Sequence, residues 1–119
     1  MPLYAVISRN AEGVSREEVR AGLKEHLVFQ FESEARGKLF AAGPFGPLPE
    51  TTEGIYFLWA ESEAEAREIA ERDPFHRKGL RVYRFMSWRL HESSILGVGL
   101  RARLNGDDPS NPHYWPPKD

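Results

Sequence analysis

Cysteine is absent from all 119 residues, which excludes disulfides, iron–sulfur clusters and thiolate zinc sites. Such a chain suits a reducing compartment. A charge excess is missing as well. Lys plus Arg number 16 against 18 Asp plus Glu, a net charge of −2, whereas an electrostatic nucleic-acid binder would carry a basic stripe. Long apolar runs are lacking, and the segment from Ile55 to Ala60 is far too short to cross a bilayer. The opening Met1-Pro2-Leu3-Tyr4 has no basic stretch leading into an apolar one, as an export signal would. No glycine-rich phosphate loop or G-x-S-x-G elbow occurs. His76, His91 and His113 lack paired metal-ligand spacing and read as surface residues. The expectation is a cytoplasmic protein with no cofactor, no metal, no nucleic-acid partner and no membrane segment.

What is present is a supply of large apolar side chains. Hydrophobic residues make up 40% of the chain and aromatic ones 12%, enough for one unstapled core in one domain. Leu3 to Ser8 is rich in strand formers. Ser15 with Glu18 forms a capping-box pair that opens a helix running to about Arg36, where Gly37 stops it. Lys38 to Ala42 and Gly54 to Ala60 are strands, separated by the run Gly43-Pro44-Phe45-Gly46-Pro47-Leu48-Pro49. Ser62 and Glu65 mark a second helix start. Asp73-Pro74 ends that helix, because a residue before proline is driven out of the helical region. Leu80 to Leu90 is the last strand. This β-α-β-β-α-β order predicts an α+β fold of the ferredoxin-like type with an antiparallel sheet. An RNA-binding domain of the same order is disfavoured by the charge and by the missing RNP1 signature.

The strands carry a second message. Val82, Met86 and Trp88 share one face of the last strand, while Tyr83 and Phe85 share the other; Ile55, Phe57 and Trp59 oppose Tyr56 and Leu58 in the third. Two helices cover only one face of a sheet, so apolar residues on both faces predict a homodimer packed sheet against sheet. The ferredoxin-like domain is expected over residues 1–92. Residues 93–119, rich in Asn, Gly, Asp, Ser and Pro towards their end, are expected to form a partly irregular C-terminal arm.

In the first helix, Val19, Leu23 and Leu27, extended by Phe31, define the expected core stripe at about 100° per residue. His26 projects among them, where an aliphatic residue would be expected, and so needs a hydrogen-bond partner or a solvated cavity. Asp73 reads first as turn chemistry before Pro74. In a split βαβ fold, however, both helices lie on one sheet face and can each place a polar group in one cavity. A carboxylate beside an imidazole fixes its tautomer and raises its basicity, leaving a general base near neutral pH.

The order Glu25-His26-Leu27, then Gly37-Lys38-Leu39-Phe40-Ala41-Ala42-Gly43-Pro44, then Asp73-Pro74-Phe75 followed by Gly79, resembles the YCII-related family over roughly residues 1 to 90. The resemblance implies a dimeric α+β barrel, similar to the muconolactone isomerases, with a histidine and an aspartate in its active site. Those positions are His26 and Asp73 here. It also sets Gly43 and Pro44 near the site mouth, and one branch of the family is linked to dehydrochlorination of a chlorinated hydroxyquinol. The chain departs from the pattern in its tail after Leu90 and in Leu23-Lys24-Glu25 ahead of the histidine.

The expected function is therefore small-molecule acid–base chemistry: isomerisation, elimination or dehydrohalogenation without a cofactor. His26 moves the proton and Asp73 orients it; Gly43 and Pro44 shape the cavity, Phe75 gives an apolar wall, and Trp88 contributes to binding. The alternative is a non-catalytic metabolite-binding or accessory dimer using the same cavity.

Overall fold

The computed structural model describes residues 2–47 and 52–90. These fall in the first of the two units into which the chain divides, Met1–Trp88, together with Arg89 and Leu90. The C-terminal arm expected from residue 93 onward lies outside the described residues, as do His91 and His113.

Four strands, β1 (Leu3–Asn10), β2 (Leu39–Pro44), β3 (Glu53–Trp59) and β4 (Arg81–Trp88), form one sheet in the order β2-β3-β1-β4. Every neighbouring pair is antiparallel. Together with its helices this is the ferredoxin-like α+β arrangement. Strand β1 sits centrally because both its edges are paired; Val6 lies opposite Tyr56 on one side and Phe85 on the other. The register of β2 slips between Leu39 and Ala41, so Phe40 is an extra residue in the ladder.

The first helix is two helices. The capping box forms as the sequence predicts, with the Ser15 hydroxyl accepting from the Glu18 amide and the Glu18 carboxylate accepting from the Ser15 amide. But α1 (Arg16–Ala21) closes at Gly22, and α2 (Leu23–Ala35) begins beyond it. Gly22 is buried at the junction, where a Cβ would stand 3.0 Å from Leu80 Cδ1 and 3.3 Å from Phe75 Cε1. Its missing side chain is what lets those two residues pack beneath the break.

The face that α2 buries is not the one its apolar residues suggest. Leu23, Leu27 and Phe31, expected in the core, are exposed, as is Val28. The buried side of α2 carries His26 and Ser33, with Phe29 partly buried against the core. Ser33 is satisfied by donating to the Phe29 carbonyl at 2.8 Å. The buried arc runs through Val19, Gly22, His26, Phe29 and Ser33 at alternating spacings of three and four, continuous across the break; the expected stripe stepped by four from Val19 and so drifted off that face.

The second helix, α3 (Glu63–Arg72), starts at Ser62, whose hydroxyl accepts from the Glu65 amide. Glu65 does not complete a box: its carboxylate accepts from the Glu61 amide and pairs with Lys38 instead. Asp73-Pro74 ends α3 and begins a short helix that the sequence did not reveal, α4 (Pro74–Arg77). Proline at its first position suits a helix start, since its missing N–H would be unpaired there in any case. The core lies between these helices and the sheet, built from Tyr4, Val6, Tyr56, Leu58, Ala60, Ala66, Ile69 and Ala70. Among the described residues, no helix lies on the opposite sheet face. Val82, Met86 and Trp88 are exposed there, Phe57 packs on Trp88 with ring centroids 4.6 Å apart, and Phe40 packs edge-on against Phe57 and Trp59.

Candidate functional site

His26 and Asp73 come from different helices and meet beneath the helix layer. The His26 Nδ1 lies 2.9 Å from Asp73 Oδ1. Asp73 is fully buried, and a carboxylate there is tolerated only because its oxygens are occupied. Oδ1 also accepts from the Phe75 amide at 2.9 Å, and Oδ2 accepts from the Tyr56 hydroxyl at 3.1 Å. Burial alone would raise the Asp73 pKa. The His26 hydrogen bond, the charges of His26 and His76, and the Phe75 amide outweigh it and hold the pKa below its ordinary value. Tyr56 moves the other way. Burial first, then the adjacent Asp73 carboxylate, push its pKa well up, so it remains a donor.

The tautomer of His26 follows from this. An ionised carboxylate only accepts, so Nδ1 carries the hydrogen and Nε2 of the neutral ring is left with a lone pair. Among the described residues no sealed side-chain nitrogen or oxygen lacks a partner, and Nε2 has no protein partner. It therefore opens into the cleft that His26 lines. The ring plane is fixed by Phe75, stacked at 4.3 Å between centroids with an 18° tilt.

The cleft has a volume of about 560 Å³, within the range of small-molecule sites. Gly43, Pro44 and Phe75 line it, with Val19, Leu23, Leu27 and Ile55 adding apolar wall. Trp88 does not. It belongs to the other sheet face, tilted at 41° against Phe57, and so its expected role in binding is withdrawn. The alternation along β4 was read correctly, but alternation does not say which face the helices take.

Two further groups line the cleft that sequence reasoning passed over. The Ser8 hydroxyl is 3.0 Å from His76 Nε2, while His76 Nδ1 is 2.8 Å from the Ala70 carbonyl. Since a carbonyl only accepts, Nδ1 donates and Nε2 receives the Ser8 proton. The His76 side chain is 2% exposed, which corrects the expectation of a surface residue. Burial lowers its pKa, against the opposing pull of Ala70 and Asp73. The second group is Arg81, whose Nε donates to Asn10 Oδ1 at 3.1 Å. The one hint of it in the sequence is an arginine on the strand face of Tyr83 and Phe85.

Among the described residues, no three His, Asp or Glu side chains are grouped to hold a metal, and no helix is long and apolar enough to cross a membrane.

Comparison with known proteins places this geometry in a lineage. An uncharacterized protein, YjpA, of Bacillus subtilis (strain 168) is 32% identical over 90 residues, covering 76% of this chain and 98% of its own. In structure the chain is similar to 5-chloro-2-hydroxyhydroquinone dehydrochlorinase (TftG) from Burkholderia phenoliruptrix AC1100, solved in complex with 2,5-dihydroxybenzoquinone. The TM-score is 0.61 at 22% identity, over 78% of this chain and 97% of that one. Protein Atu4242 from Agrobacterium tumefaciens aligns with a TM-score of 0.43 at 14% identity, over 77% and 94% of the two chains. The model of the YCII-related domain matches residues 2–89, and the chain belongs to the YCII-related family.

Proposed function

We propose that this protein is a cofactor-independent enzyme that moves a proton on a small, planar molecule, with His26 as the general base and Asp73 as its orienting carboxylate. One observation carries this reading: an imidazole held at Nδ1 by a buried carboxylate lines a cleft of ligand size. Nε2 takes a proton from an activated C–H or O–H of the substrate. The electron pair left behind either shifts a double bond, with the proton returned at another atom, or expels a leaving group. Asp73 stabilises the imidazolium while remaining ionised, because Tyr56 and Phe75 already donate to it. A buried, pre-oriented pair needs little rearrangement as charge develops. Gly43 and Pro44 form the rim and Phe75 the floor of the cleft. Isomerisation, elimination and dehydrohalogenation share this first step. The name of TftG, a dehydrochlorinase of the same fold, is the reason to assay the last of these.

We also propose that the uncovered sheet face is buried against the same face of a second copy, giving a dimeric barrel. Phe40, Phe57, Trp59, Met86 and Trp88 supply the aromatic and sulfur-bearing surface that such a packing buries.

The test is proton exchange. Cyclic enones, hydroxyquinols and halogenated hydroxyquinols are incubated with the protein in D2O and followed by NMR for deuterium uptake or halide release. His26→Gln is expected to lower the rate of the active compound about 100-fold or more. Unchanged turnover in a folded His26→Gln variant rejects His26 as the base. Saturable binding with no turnover across the whole set would favour the metabolite-binding reading instead.

A further inference from the structure

Arg81 carries a charge that the acid–base reading leaves unused. It opens β4 opposite Asn10, half-buried at the end of the sheet where the cleft lies. Its Nε donates to the Asn10 side chain, and its guanidinium carbon sits 4.8 Å from the centroid of the Phe75 ring. Its Nη1 lies above Gly54, where an added Cβ would come within 3.8 Å of it, beside the Gly43-Pro44 rim. The position is thus set from three sides. Yet among the described residues no carboxylate lies within ion-pairing distance of it; the ion pairs there engage His26, Lys38, Arg67, His76 and Lys78.

A half-buried arginine without an acid is unusual, because a guanidinium taken partly out of water normally gains a carboxylate in exchange. Burial does weaken its hold on the proton, with only the more distant Asp73 charge opposing. The surroundings agree. Arg20 and Arg81 line the cleft, and no acid is among the described residues lining it, although the chain as a whole carries a net charge of −2. Asp73 lies below, its oxygens already taken.

Arg81 has spent its Nε on Asn10. The edge that remains is the terminal Nη1/Nη2 pair, a fork whose spacing matches the two oxygens of a carboxylate. We propose that this edge is an anion anchor and that the ligand of the cleft is a small planar carboxylate, its apolar body lying along the wall of Val19, Leu23 and Ile55 towards His26. Phe75 touches both ends of this path, stacking on the imidazole at 4.3 Å and carrying the guanidinium at 4.8 Å. The two donors of this edge lie in one plane, which matches the two oxygens of a carboxylate better than the tetrahedral oxygens of a phosphate. The proposal deepens the small-molecule reading of the cleft but does not depend on His26 acting as a base.

The experiment titrates three probes of one shape, benzoate, phenyl phosphate and benzamide, by NMR of backbone amides and of the Arg81 Nε–H. Benzoate is expected to bind at least about tenfold more tightly than benzamide and to shift the Arg81 Nε–H signal. Arg81→Gln should weaken benzoate about 20-fold and change benzamide by less than about twofold, with Arg81→Lys in between. Melting curves establish that the variants are folded. Should Arg81→Gln fail to fold, the benzoate-to-benzamide ratio and the Arg81 signal of the natural protein decide alone. Equal binding of benzoate and benzamide, tighter binding of phenyl phosphate, or no saturable binding of benzoate overturns the proposal. The two readings are separated by their readouts: an Arg81→Gln variant that binds benzoate as the natural protein does removes the anchor, whereas the loss of proton exchange in His26→Gln bears on the base alone.

Discussion

The two faces of the sheet are made by the same four strands and solve opposite problems. On the helix-covered face, polar groups are buried and each is matched: Asp73 by His26, Tyr56 and the Phe75 amide, His76 by Ser8 and Ala70. On the other face, large apolar side chains are left in contact with solvent, Met86 at 43% and Trp88 at 38% exposure. One face holds polarity where water is absent; the other holds hydrocarbon where water is present. Under the proposed function, chemistry and association fall on opposite sides of a single layer, and each side should respond to substitution without the other.

The sharpest way to break that division is Asp73→Ala. It leaves the Tyr56 hydroxyl, the His26 Nδ1–H and the Phe75 amide without their acceptor in a sealed place. A loss of about 4 kcal/mol is expected in urea unfolding, with the oligomeric state unchanged while the chain remains folded. Trp88→Glu is the converse. A charge placed on the uncovered face should weaken self-association about 30-fold in sedimentation equilibrium, roughly the share of one aromatic anchor. Proton exchange by the separated subunits would then show whether the cleft works alone. If Trp88→Glu instead collapses the fold and leaves association intact, the division between the faces is wrong.

The smallest effect concerns pH. His76 has its pKa lowered in the folded protein below the ordinary 6.5, so between 6.5 and that lower value the unfolded chain binds a proton that the folded one refuses. Stability therefore falls as pH drops through this window, by at most about 1.4 kcal/mol per pH unit. Asp73 adds a second loss at more acid pH, because its folded pKa lies below the ordinary 3.8 and its contribution disappears as pH falls through that folded value. His76→Asn should flatten the first window and keep the second. Chemical denaturation at several pH values reads both, and an unaltered upper window would mean that His76 is not the group responsible.

Much of the architecture was legible because it rests on local chemistry. Ser15 with Glu18, Ser62, Gly37 and Asp73-Pro74 each mark a helix end through a bond or a steric limit within a few residues. The core face of α2 was not legible in this way. The apolar residues Leu23, Leu27 and Phe31 run along its exposed side, whereas the buried side carries His26, Phe29 and Ser33, so hydrophobicity alone pointed to the wrong face. His76 was misread for a related reason: in a four-residue helix there is no periodicity to show which way a side chain points. Tyr56 and Arg81 alternate along their strands like any other residue, and their roles arise only from what the fold sets opposite them. The meeting of His26 and Asp73 was inferred from the expected topology, and the 2.9 Å between them is a distance that no sequence spacing contains.

The restraints on the His26 ring share an origin. Asp73 holds it by a hydrogen bond, Phe75 holds it by stacking, and the two are separated by Pro74 alone. In kinematic terms the imidazole is tethered to one rigid tripeptide rather than to two independent parts of the scaffold. A shift of α4 against the sheet would displace both tethers together, with the angle between hydrogen bond and stacking plane conserved. An insertion or deletion within Asp73-Pro74-Phe75 would do the reverse and release the ring from both at once. The segment should therefore tolerate no change of length, whereas the surface turns a few residues away can vary freely.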